Sequence, residues 1–109
     1  MPQTRVLICT TDEVPGRPST ANLGLVRGNS VRARHVGSDL WAAMRNMTGG
    51  ELTDYTKLLG EAREQALDRM AEEALALGAD AIVGVRFESC EIARGAAELL
   101  AYGTAVKLE

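Results

Sequence analysis

The segment from Glu73 to Val85 reads Glu-Ala-Leu-Ala-Leu-Gly-Ala-Asp-Ala-Ile-Val-Gly-Val. Its first half is a run of strong helix formers. Gly78 is suited to close a helix, because glycine takes a left-handed backbone without a Cβ penalty. Ile82, Val83 and Val85 then favour a strand. A helix that feeds a strand this directly lays one layer against the other. The chain is therefore expected to be α/β (α+β): a two-layer subunit in which a small, mainly antiparallel sheet packs against one long and one short helix.

The long helix is expected from about Thr53 to Leu77. Leu52, Tyr55, Leu59, Ala62, Ala66, Met70, Ala74 and Leu77 recur at spacings of three or four and form one apolar stripe. Glu61, Arg63, Glu64, Asp68, Arg69, Glu72 and Glu73 fill the opposite side. Gly60 inside this helix costs about 1 kcal/mol against alanine, which a close packing contact or a local kink would explain. Upstream, Ser38 is a good N-cap for the short helix, Asp39 to Met47, with Leu40, Met44 and Met47 on one face. Gly49-Gly50 is expected to interrupt it.

Strands are expected over Arg5 to Thr11, over an extended region from Ala21 to Arg34, over Ala81 to Ile92 and over Ala97 to Leu108. In the third, simple alternation places Ala81, Val83, Val85 and Phe87 on one face and Ile82, Gly84, Arg86, Glu88 and Cys90 on the other. Pro15-Gly16 and Pro18 mark a turn after the first strand, and residues 93–96 another before the last.

The 109 residues suit a single domain, 1–109. Hydrophobic residues make up 46% of the chain, but aromatics only 4%, so the apolar content is mostly Ala, Leu and Val. Such side chains bury little area each, and the thin core this implies favours a homo-oligomer. The formal charge of −3 is spread without a basic run, which disfavours nucleic acid as a partner. No apolar stretch approaches the roughly 18 residues of a membrane span, and the N-terminal run is too short for a signal-peptide core. The expectation is a cytoplasmic protein without a membrane partner, its two cysteines reduced.

Chemistry-bearing residues are few. Cys9, His35 and Cys90 are the candidate metal donors, but zinc wants about four N or S ligands. The plain alternative is two cysteines packed as small hydrophobes and a histidine in a loop. Neither cysteine sits in a nucleophile motif, and a serine triad would have to use His35 without G-x-S-x-G. The pairs Asp12-Glu13 and Glu88 with Glu91 suit acid–base or cation chemistry, yet read as well as solvated surface. Thr48-Gly49-Gly50 before the long helix, with Arg45 nearby, lacks both phosphate-binding glycine patterns. No catalytic residue and no resident cofactor is expected.

Several separated blocks carry a family resemblance. They are Asp39 with Trp41, then Arg45, Gly49-Gly50, Tyr55, Ala62-Arg63-Glu64, Ala66, the run Leu77 to Gly84, and Tyr102-Gly103-Thr104-Ala105-Val106-Lys107. Thr10-Thr11 followed by Gly16 adds an N-terminal block. Together they resemble the YbjQ-like family, small bacterial and archaeal proteins labelled as heavy-metal-binding. The resemblance implies a two-layer subunit and a ring-shaped homopentamer in which short strands help assembly. It implies no established reaction. Leu23 stands where many relatives carry cysteine, Pro15 where they carry glutamate, and Asn46 where an acid is common.

Three functions follow as expectations. The first is a non-catalytic, self-assembling binding or scaffold module. The second is a binder of soft metals such as zinc or copper through Cys9, His35 and Cys90. The third is an enzyme or small-molecule binder with a cleft between subunits, lined by Tyr55, Arg45, Thr10, Thr11 and Asp12.

Overall fold

A computed structural model describes residues 5–33, 49–93 and 96–109. Its elements run β1 (Leu7–Ile8), β2 (Ser19–Ala33), α1 (Gly49–Ala76), β3 (Ala81–Ala93) and β4 (Ala96–Leu108). The strands form one sheet in the order β1-β3-β4-β2. β4 pairs antiparallel with both β2 and β3, whereas β1 pairs parallel with β3, so the sheet is mixed. Among the described residues there is one helix rather than two; the short helix expected over Asp39–Met47 lies outside them. α1 already includes Gly49 and Gly50, ahead of its expected start at Thr53, and the junction with the short helix lies outside the described residues.

The joint between α1 and β3 closes as its sequence demands. Gly78 takes a φ of 79°. Its N–H donates to the Leu75 carbonyl at 2.9 Å, and the Ala79 N–H donates to the Ala74 carbonyl at 3.1 Å. These are the two crossed bonds of a Schellman cap. Ala79 then packs into the cluster that holds Ala74, so the cap is apolar as well as hydrogen-bonded. Lys107 Nζ donates to the Gly78 carbonyl at 2.9 Å, placing a cation at the negative end of the helix.

The main core lies between α1 and the sheet. Ala66, Met70 and Ala74 pack on Val26, Ile82, Val85, Ala101 and Ala105. Alanines at these positions bring the helix close to β2, and at Gly28 backbone meets backbone. The apolar stripe runs past this core: Leu59 is 42% and Leu77 48% exposed.

Strict alternation fails in β3. Ile82 and Val85, three residues apart, both enter the main core, whereas Ala81 and Val83 pack on the other face of the sheet. The cause is a bulge at Gly84, which takes a φ of 63°, with a register shift between Val83 and Arg86. The N–H groups of Gly84 and Val85 donate to the carbonyls of Thr11 and Cys9. No helix among the described residues is long and apolar enough to cross a membrane.

Candidate functional site

The sheet face opposite α1 is covered over only part of its length. Residues 9–18 curl across that part. Pro15 and Gly16 sit at the corners of a tight turn, Gly16 with a φ of 77°, closed by Arg17 N–H donating to the Val14 carbonyl at 3.1 Å. The turn presses Val14 onto Ala81, Val83, Val106 and Leu108, and Cys9 packs beside them. Arg86 Nη1 pins the segment by donating to the Thr10 carbonyl at 3.0 Å. Thr11 and Asp12 are exposed in the same segment, and Asp12, Glu13, Asn22 and Thr104 line a shallow cleft of about 310 Å³ beside it.

Beyond this segment the face is bare among the described residues. Strand register sets its side chains in cross-strand rows. Arg27, Tyr102 and Arg86 form one row; Asn29, Leu100 and Glu88 the next; Val31, Glu98 and Cys90 the third. Asn29 Nδ2 donates to Glu98 at 3.2 Å across the strands. Leu25 is 60% and Val31 49% exposed, while Tyr102 and Leu100 are half-buried. An aromatic ring flanked by two arginines, with exposed aliphatic residues on either side, is the composition of a protein-contact surface. Nothing in residue spacing alone shows the Arg27-Tyr102-Arg86 row, because it comes from three strands joined by register.

The other candidates fall as follows. β1 and β3 are neighbours, as a site shared by the two cysteines would need. Yet Cys9 bonds to Ile82 and Val85, and Cys90 lies five residues beyond Val85, about 16 Å along the strand. Cys9 is half-buried and Cys90 exposed on different stretches of the sheet. Among the described residues no three His, Cys, Asp or Glu side chains gather to hold a metal ion. His35 and Arg45 lie outside the described residues, and Tyr55 is placed only by its backbone, near the start of α1. Leu23 packs against the main core. Glu88 is exposed on the bare face.

The pattern of the YbjQ-like family, described as "Putative heavy-metal-binding", matches residues 6–109. A UPF0145 protein of Halobacterium salinarum is 60% identical over 99 residues, covering 91% of this chain and 95% of that protein. A UPF0145 protein of Thermotoga maritima is 53% identical over 104 residues, covering 95% of this chain and 98% of the relative. A crystal structure from Pediococcus pentosaceus, a DUF74-family protein of unknown function, superposes with a TM-score of 0.66 at 14% identity. It covers 95% of this chain and 98% of its own, so it supports the fold alone.

Proposed function

This chain belongs to the YbjQ-like family, and from that premise we propose that it is a self-assembling binding or scaffold module of the cytoplasm rather than a catalyst. The observation that carries the reading is the sheet face left uncovered among the described residues, with Leu25 60% and Val31 49% exposed beside the Arg27-Tyr102-Arg86 row. A single copy leaves these groups in water, and a second copy removes them from it. The assembly is a ring of identical subunits, five by the family resemblance, since head-to-tail contacts close into rings. Native mass spectrometry and light scattering at micromolar concentration are expected to give a multiple of 11.6 kDa. A monomer across that range would sink the reading.

A soft-metal reading has the family's description in its favour. The described residues of one subunit do not fit such a centre, because Cys9 and Cys90 stand apart and no third donor joins either. The donors would have to include His35 or come from two subunits. Zinc and copper titrations of tag-free protein test this. Binding near one ion per subunit that is lost in Cys90→Ser or Cys9→Ser supports it, and no saturable binding removes it.

A further inference from the structure

The helix side of the sheet carries a cleft beyond the main core. Register sets Ser30, Leu99 and Ser89 in one row across β2, β4 and β3, next to the row of Gly28, Ala101 and Phe87. At Gly28 the helix backbone lies against the strand, with the Ala66 carbonyl and the Met70 nitrogen over it. One turn earlier, α1 offers Ala62 and then Leu59. Opposite them the sheet offers Ser30, Ser89 and Ala97. These side chains are mostly too short to close the gap between the two layers, and a cleft of about 230 Å³ is left there.

Its lining is mainly apolar, from Leu59, Ala62, Ala97 and Leu99. Ser30 is fully buried in the wall, and its hydroxyl donates to Gln65 Oε1 at 2.8 Å. That bond satisfies the serine donor, so an apolar chain can lie over it without stranding a polar group. Arg63 stands exposed on the rim and makes no hydrogen bond or ion pair among the described residues. Glu98 also borders the cleft, but its carboxylate accepts from Asn29 Nδ2 on the opposite face of the sheet. The charge left for a ligand among the described lining residues is therefore the Arg63 guanidinium. The volume falls below the roughly 300 Å³ at which sites for drug-sized ligands begin, so the ligand is small.

We propose that this cleft binds a short aliphatic carboxylate, its chain laid against Leu59, Ala62 and Leu99 and its carboxylate paired with Arg63 on the rim. Covering the chain removes apolar surface of both partners from water. The charge-assisted pair with Arg63 fixes which end faces out, and the Ser89 hydroxyl in the same lining can donate to the second carboxylate oxygen. The site lies within one subunit, so it goes beyond the self-association reading and does not depend on it.

Titration of the full chain with hexanoate, followed by amide chemical shifts, tests this, with hexanol as the uncharged match. Saturable shifts at Ala62, Arg63, Ser89 and Leu99 with hexanoate, and hexanol binding about tenfold weaker, are the expected result. Arg63→Gln is expected to raise the hexanoate dissociation constant about tenfold and to leave that of hexanol unchanged. Ala97→Leu, folded by circular dichroism, is expected to fill the cleft and abolish binding of both. No saturable shift with either compound overturns the site. Shifts centred elsewhere, or an Ala97→Leu variant that binds like the parent, overturn its location. Hexanol binding as tightly as hexanoate, or an Arg63→Gln variant that holds hexanoate like the parent, overturns the carboxylate assignment. Self-association stands or falls separately, on the mass measurements.

Discussion

Gly28 and Gly60 look alike in the sequence, and the structure separates them. A β-carbon on Gly28 would collide with the Ala66 carbonyl oxygen and the Met70 backbone nitrogen, and would stand 2.8 Å from Arg69 Cβ. Two of those are backbone atoms that move only if the helix moves. Gly28→Ala is therefore expected to cost about 3 kcal/mol, the upper range of overpacking, and to lower the melting temperature by roughly 10–20 °C. A β-carbon on Gly60 has only Arg63 Nη2 near it, at 3.8 Å, in an unbroken helix. No close packing contact explains this glycine, and the helix continues through it. Gly60→Ala should raise stability by about 0.5–1 kcal/mol, readable as a higher urea midpoint at constant slope. The sequence could not tell these glycines apart, since the partner of Gly28 lies some forty residues away. Cys9 and Cys90 repeat the lesson: their strands are neighbours, but their positions along them are set by register.

The helix-to-strand joint was legible because all its determinants are local. Leu75, Gly78 and Ala79 bond and pack within one turn, and the end of α1 falls one residue from its expected place. Gly78 has a φ of 79° and open space around it. Gly78→Ala should therefore cost about 1 kcal/mol through backbone conformation alone, without a packing defect. Thermal unfolding checks the size, and Gly78→Asn should recover part of the loss because asparagine tolerates the left-handed region. A full loss in Asn would move the explanation from backbone to contacts. The faces of β3 were not legible, because Gly84 inserts one residue and inverts the alternation after Val83. Its signal was a glycine inside a strand, which marks a bulge without saying which way the chain resumes.

At the scale of the molecule, shape and core argue for assembly together. The radius of gyration is 16.8 Å, with extents of 51 × 25 × 23 Å. A compact chain of this length has a radius near 13 Å. The excess follows the long strands β2, β3 and β4, which run on together and which, among the described residues, α1 covers on one side only. Against that surface stands a core in which five of the nine main-cluster residues are alanine, each contributing little burial. Composition had already pointed to a thin core, but the elongation depends on the lengths of paired strands, which composition does not contain. If the missing burial is made between copies, folding and association are linked, and the folded state gains stability by mass action. The melting temperature should then rise with protein concentration over a hundredfold range, as it does for an assembly that dissociates when it unfolds. Val31→Asp should flatten that rise while leaving the low-concentration melting temperature nearly in place, since its side chain is already 49% exposed in one copy. Scanning calorimetry on both proteins at matched concentrations separates the two contributions. A melting temperature independent of concentration would mean that the alanine core and its capped helix hold the subunit alone, and that the bare face serves some partner other than itself.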